Sequence, residues 1–298
     1  MRKRPRVGSA DADRADSTRP STIVTDHYAV IGNPIAHSKS PHIHQAFARQ
    51  TGQHIEYERI LGSLGDFAGD VRRFVAAGGR GLSITVPFKE QAWALLADRT
   101  ERADTAGAVN TLIVLDGGTL RGDNTDGVGL IRDLTVNCGI ELAGRRVLLV
   151  GAGGAARGVL HPLLAAGPAE LVIANRTAAK AVALAASVDG VVGCGLDEIE
   201  GRAFDLIINA TASGLAGGVP ALPDDCLADG GATYDLFYAD EPTPFCRWGL
   251  AHGASIAVDG LGMLVEQAAE AFSIWRGVRP ETAPVIASLR AAGSEVDG

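Results

Sequence analysis

The sequence predicts an α/β protein of two domains, each built on a largely parallel sheet, and three observations predict it. Short apolar runs alternate with helical stretches along the chain, as crossover units on a parallel sheet require. One of these runs, VLLV at 147–150, carries no charge and is followed at once by glycines. The chain has 298 residues, enough for two cores of ordinary size.

Composition narrows the class. Hydrophobic residues make up 46% and charged residues 21%, the balance of a soluble globular protein. A formal net charge of −8 leaves no basic surplus for phosphates, so nucleic acid is not the expected partner. Cys138, Cys194, Cys226 and Cys246 lie far apart with no C-x-x-C pair. That spacing fits unpaired thiols in a reducing, cytoplasmic setting and signals neither a metal site nor a disulfide framework. No apolar stretch approaches membrane-spanning length, so no membrane partner is expected.

Residues 1–26 are polar and charged, with almost no large apolar side chain, and are expected to be a disordered extension. The start, MRKRPR, lacks the apolar segment of a secretory signal. From Tyr28 the texture changes. Residues 28–32 form a first strand, and Asn33-Pro34-Ile35 turns the chain. A helix follows over 42–50, with Ser40 as cap and Pro41 at its first position. A strand at 55–60, a helix at 66–77 halted by Gly78-Gly79, a strand at 81–86 and a helix at 88–96 come next. A hairpin over 108–115 and 119–123 turns at Asp116-Gly117-Gly118.

Beyond Asn124-Thr125-Asp126-Gly127 comes the charge-free strand at 147–150. The lack of charge suits a strand buried on both faces. Gly151, Gly153 and Ala156 then fit G-x-G-x-x-G/A, and 155–164 is helical in composition. A strand, a glycine turn and a helix start bring backbone N–H groups and a positive helix end to one point, where a pyrophosphate can sit. The predicted second domain is therefore of the Rossmann, dinucleotide-binding type. An ordinary tight turn gives the same pattern when it stands alone; here both flanks fit.

The next strand, 170–174, ends in Asn175, Arg176 and Thr177, with Lys180 shortly after. Folds that bind NAD usually place a carboxylate there for the ribose 2′-OH, and a carboxylate would repel a 2′-phosphate. A neutral Asn with two nearby cations suits that phosphate instead, which favours NADP. Without a ligand, the same cations are a solvated helix start. A helix at 178–187, strands near Val191, at 205–209 and at 234–237, and helices at 263–275 and 284–289 complete the chain.

Three polar clusters fall at strand ends or turns of the first domain: Ser38 with Ser40, Thr85 with Lys89, and Asn110 with Asp126. Such positions carry ligands in α/β sheets. Together they offer hydroxyls, an amide, a carboxylate and an ammonium to a small polyhydroxylated acid. Each also has an ordinary structural reading: Ser40 caps a helix, Asn110 closes a turn, Lys89 is a solvated helix charge. His37, His42 and His44 are read as turn and helix-surface residues rather than metal ligands.

Seven motifs occur in order: NPIAHSKSP (33–41), TVPFKE (85–90), AGAVNT (106–111), GDNTDG (122–127), GAGGAARG (151–158), NRT (175–177) and DGLGMLVEQA (259–268). In sequence and spacing they resemble the shikimate dehydrogenase family, from about Tyr28 to the C-terminus. The resemblance implies an NADP-dependent oxidoreductase interconverting 3-dehydroshikimate and shikimate. It implies substrate contacts from Ser38, Ser40, Thr85, Asn110, Asp126 and Gln267, with Lys89 as acid/base beside Asp126. Tyr238 would border both substrate and nicotinamide. Gly151, Ala152, Gly153, Gly154 and Ala155, with Asn175, Arg176, Thr177 and Lys180, would bind the NADP phosphates. Leu236 and Gly260 would line the nicotinamide pocket, and Glu101 falls on a position linked to the cofactor. The implied division is a tail at 1–26, a substrate domain at 27–126 completed by 262–298, and an NADP domain at 127–261, as monomer or homodimer. Two positions depart from the usual pattern: Ser83 stands where Asn is usual, and Lys180 where Arg is frequent. Ser40 favours shikimate over quinate. The competing readings are an enzyme preferring quinate or an aminoshikimate, and a regulator that binds shikimate or NADP without catalysis.

Overall fold

A computed structural model describes residues 25–211, 213 and 217–294. The expected tail, through residue 24, lies outside the described residues; at its other end, Asp26 is already paired in the first strand.

The first sheet is built from β1 (Asp26–Gly32), β2 (Ile55–Leu61), β3 (Gly79–Ile84), β4 (Asp98–Arg99), β5 (Thr111–Val114) and β6 (Leu120–Asp123). Its order is β2-β1-β3-β5-β6-β4, with β5 antiparallel to both neighbours and the other pairings parallel. Side chains alternate across it, as the two-residue period of a strand demands. Ala29, Ile31, Leu82 and Ile84 enter a core beneath α2 (Phe67–Ala76) and α3 (Lys89–Leu95), where Phe67 stacks on Phe88 with centroids 4.9 Å apart. Tyr28, Val30 and Tyr57 join a second cluster near Trp275 on the opposite face. Asp66 caps α2 by accepting from the Gly69 N–H at 3.0 Å, as an Asx residue before a helix does.

Helix α1 (Ser40–Thr51) differs from expectation at its start. Lys39 is the cap residue, in helical conformation, and Ser40 is the first helical residue, its side chain free of capping. His44 of this helix is fully buried rather than on its surface. Ile43, Phe47 and Ala48 pack with Leu261, Val265, Ala268 and Phe272 of α9 (Leu261–Arg276), and with Val285 and Leu289 of α10 (Ala283–Ser294). The C-terminal helices thus cover the first sheet, far away from it in sequence.

The second sheet contains β7 (Arg146–Val150), β8 (Glu170–Asn175), β9 (Val191–Gly195), β10 (Phe204–Asn209), β11 (Leu227–Asp235) and β12 (Ile256–Asp259). Its order is β12-β11-β10-β7-β8-β9, and every pairing is parallel. Val147 and Leu149 face one core and Leu148 and Val150 the other, which is why the run tolerates no charge. The strand order reverses between β7 and β10, the point at which doubly wound sheets open a crevice at their carboxyl ends. Strand β11 is longer than expected and ends at Asp235, so Leu236 and Phe237 belong to the following loop. The expected helix after β8 is α7 (Ala178–Ala185). Among the strands and α-helices, five were not expected: β4, α4 (Glu101–Ala106), α5 (Asp126–Arg132), α8 (Pro244–Ala251) and β12.

Between the sheets runs α5 (Asp126–Arg132). Two glycines let it pack closely on both sides. A Cβ at Gly127 would lie 2.2 Å from Pro162 Cγ on α6 (Gly154–Ala165), and one at Gly129 would lie 2.7 Å from Gln267 Cβ on α9. Among the described residues, no helix is long and apolar enough to cross a membrane.

Candidate active site

The carboxyl ends of β1 and β3, the first turn of α3 and the start of α5 converge on a cavity of about 480 Å³. Ser38, Ser40, Thr85, Lys89, Asn110, Asp126, Tyr238 and Gln267 all line it. So do Leu236, on the loop after β11, and Gly260, after β12. The cavity is therefore walled by both sheets.

Lys89 donates from Nζ to Asp126 Oδ2 at 2.6 Å, with the carboxylate buried and the lysine half-buried. Asn110 Nδ2 donates to the other oxygen, Oδ1, at 2.8 Å, and Asn110 Oδ1 in turn accepts from the Thr125 N–H at 2.9 Å. Thr111 donates to the same Asn110 oxygen at 2.8 Å. The amide is thereby oriented with its NH₂ toward the carboxylate. The Asp126 N–H is anchored by Asn124 Oδ1 at 3.1 Å, and Asn124 reaches the Ala108 carbonyl at 3.0 Å. Polar residues of the hairpin and of the turn at 124–126 thus fix one carboxylate, leaving little freedom to be lost when a ligand binds.

Ser38 Oγ donates to Ser40 Oγ at 3.2 Å. The loop carrying Ser38 is held from β2 by Arg59, which donates to the Ser38 carbonyl from Nε at 2.9 Å and Nη2 at 2.5 Å. Gln267 donates to the Leu264 carbonyl at 2.8 Å, which turns its Oε1 toward Asn110 and Thr125, 3.4 Å from each. Burial raises the Tyr238 phenol above its ordinary range, so it is a protonated hydroxyl at neutral pH.

The glycine turn has the geometry of an anion seat. Gly151 has φ +115°, a conformation side chains disfavour. A Cβ on it would sit 3.0 Å from the Ala210 carbonyl oxygen, while the space over Gly153 is open. Gly154 opens α6, a helix of 12 residues, so its free N–H groups face that space. Gly260 has no room for a side chain, since a Cβ would lie 2.4 Å from the Leu236 carbonyl oxygen. Arg176 and Lys180 are exposed beyond β8 and, among the described residues, form no ion pair; Asn175 folds back on the Thr177 carbonyl at 3.0 Å. These groups fit a dinucleotide with an added phosphate. Helix α6 also meets α5 and α3: a Cβ at Gly158 would lie 3.5 Å from Asp126 Oδ2, and Arg157 pairs with Glu90 at 3.4 Å.

Against this geometry, three family descriptions match the chain: a shikimate dehydrogenase substrate binding domain over residues 30–112, a shikimate / quinate 5-dehydrogenase over 134–216, and a shikimate 5'-dehydrogenase C-terminal domain over 260–290. A shikimate dehydrogenase (NADP(+)) of Alkalilimnicola ehrlichii is 62% identical over 270 residues, covering 90% of this chain and 99% of its own. The chain belongs to the shikimate dehydrogenase family. Among solved structures, shikimate 5-dehydrogenase of Thermus thermophilus, in complex with NADP(H) and shikimate, superposes with a TM-score of 0.82. It is 35% identical, covering 90% of this chain and 100% of that one. A 5-ketofructose reductase of Gluconobacter shares the fold at 28% identity and a TM-score of 0.77, over 90% and 99% of the two chains.

Glu101 opens α4 and lines a second cavity, of about 350 Å³, with Arg157 and His161 of α6. Thr125, Arg59 and Tyr57 support the site without being expected there from the sequence. Thr125 sits inside the turn at 124–126, and its role depends on an amide 15 positions away. Arg59 and Tyr57 lie on the same phase of β2, a signal that alternation alone could have supplied.

Proposed function

We propose that this chain catalyses the reversible, NADP-dependent reduction of 3-dehydroshikimate to shikimate. The first sheet with α9 and α10 would hold the substrate, and the second sheet the cofactor. Membership of the family supports this reading, and one observation carries it: the Lys89–Asp126 pair, at 2.6 Å, faces a cavity shared by the two sheets.

In ketone reduction the carbonyl carbon gains a hydride and its oxygen gains a proton. Bound NADPH supplies the hydride. Lys89, as an ammonium, donates the proton and stabilises negative charge developing on oxygen. Asp126 holds the ammonium in place and accepts from a neighbouring ring hydroxyl. Ser38, Ser40 and Thr85 offer hydroxyl donors to the substrate carboxylate. Asn110, Gln267 and Tyr238 contact the ring hydroxyls. Gly151, Ala152, Gly153, Gly154 and Ala155 hold the pyrophosphate, and Arg176, Thr177 and Lys180 hold the 2′-phosphate beside Asn175. Leu236 and Gly260 shape the nicotinamide pocket. Glu101, which shares a cavity with Arg157 and His161 of α6, is assigned to the cofactor side of the site.

Shikimate-dependent reduction of NADP, repeated with quinate and with NAD, tests the proposal. A kcat/KM highest for shikimate with NADP is expected. Preference for quinate would move the chain within its family. Tight shikimate binding without turnover would indicate a regulator, a reading the intact Lys89–Asp126 pair opposes.

A further inference from the structure

Beside the catalytic pair, the wall of the cavity carries a hydroxyl whose oxygen is occupied by a buried donor. Ser83 lies on β3, two positions before Thr85, and both line the cavity. Its Oγ accepts from the Tyr57 phenol at 2.7 Å. A serine hydroxyl has one proton to give. Among the described residues no hydrogen bond donated by Ser83 Oγ is found, so that proton is free to point into the cavity.

Tyr57 is held so that this direction is fixed. It lies on β2, across β1 from Ser83, and is 5% exposed. The His44 ring stacks on it with centroids 4.2 Å apart and planes within 6°. His44 is fully buried, and among the described residues neither of its ring nitrogens has a hydrogen-bond partner. Burial drops its pKa to about 3, so it is a neutral flat ring. Phe47 meets its edge at 5.9 Å, and Trp275 lies 5.4 Å from it. Aromatic packing therefore fixes the phenol ring, and burial keeps the phenol protonated. Among the described residues the phenol has no other hydrogen-bond acceptor, so a buried Tyr57 hydroxyl satisfies its proton by donating to Ser83.

We propose that Tyr57 is a positioning residue that orients the Ser83 hydroxyl as a donor into the substrate cavity, selecting substrates with an acceptor oxygen against that wall. The inference rests on the shikimate reading above and deepens it. Tyr57 touches no substrate; it acts through Ser83. Without the phenol, Ser83 can turn its proton toward the vacated position, and the substrate loses a pre-aimed donor.

Steady-state kinetics of Tyr57→Phe, Ser83→Ala and the double variant, with shikimate and NADP varied separately, test this. Tyr57→Phe keeps the ring stacked on His44. The expected result is a rise in KM for shikimate of roughly five- to thirtyfold in Tyr57→Phe, the scale of one lost hydrogen bond to a charged or polar group. Turnover and the KM for NADP stay near wild type. In the Ser83→Ala background the Tyr57 change adds nothing, and Ser83→Thr, which keeps a hydroxyl, restores most of the affinity. An unchanged KM in Tyr57→Phe overturns the proposal. So do additive effects in the double variant, which would mark Tyr57 as packing alone. Wild-type protein that turns over no shikimate overturns the function reading, and this proposal with it, and so distinguishes the two failures.

Discussion

Lys89 and Asp126 stand 37 positions apart in sequence and 2.6 Å apart in space. The lysine opens α3 beneath the first sheet, and the aspartate opens α5, which is wedged between the two halves of the molecule. Their separation is therefore set by how α5 is seated, and α5 is seated by contacts with α6 and α9. The geometry of this pair and the relative placement of the two sheets are set by the same helix.

Gly127→Ala tests that linkage. The added methyl would meet Pro162 Cγ at 2.2 Å and the Gly158 carbonyl oxygen at 2.9 Å, and a backbone carbonyl cannot swing aside. Overpacking of this kind costs about 1–3 kcal/mol. A melting temperature lowered by several degrees is expected in thermal denaturation, with turnover reduced as Asp126 is displaced.

Arg176→Ala should separate the two nicotinamide cofactors. The guanidinium is exposed and, among the described residues, free of ion pairs, so its removal disturbs no internal contact. Loss of a charge-assisted hydrogen bond is worth about 1.5–3 kcal/mol. The KM for NADP should rise by one to two orders of magnitude while that for NAD stays put, as paired titrations of the two cofactors would reveal.

Acid stability depends on Glu266. Its carboxylate is fully buried on α9, accepting from Thr282 at 2.6 Å, Arg279 at 2.8 Å, Arg132 at 3.0 Å and Asn137 at 3.2 Å. Burial alone would raise its pKa, but these donors outweigh burial and hold it below the ordinary 4.5. A carboxyl depressed in the fold stabilises fully above its unfolded pKa and loses that contribution as pH falls through the depressed value. Denaturant titrations of Glu266→Gln should show lower stability at neutral pH, by about 1–3 kcal/mol. The gap to wild type should narrow as pH drops below about 4.5. Asp133 runs the other way: burial raises its pKa despite the donated Tyr234 hydroxyl. Its ionisation opposes the fold as pH rises.

Local signals made much of the fold legible. The uncharged run at 147–150 announced a strand with cores on both faces, and Leu148 and Leu149 do face opposite ones. Glycine spacing announced the turn after it. Short elements were missed where the pattern has too few residues to repeat: α4 has six, and β12 has four, three of them only partly buried. Ser40 looked like a cap because it precedes Pro41, but the helix begins one residue earlier than that reading allowed. His44 reads as a surface residue because the rings that bury it come from β2 and from α9, at the far end of the chain. Lys89, Asp126 and Gln267 could be suspected singly; their convergence on one cavity is a tertiary fact that only the resemblance anticipated.

Lys89 is the proton donor of the proposed reaction. Oxidation of NADPH by 3-dehydroshikimate, followed at saturating substrate with wild type and Lys89→Ala, tests this most directly. General acid–base help is worth about 10²–10⁴-fold. A fall in kcat of that size is expected, with a much smaller change in the KM for 3-dehydroshikimate. A Lys89→Ala variant that turns over at the wild-type rate would contradict it.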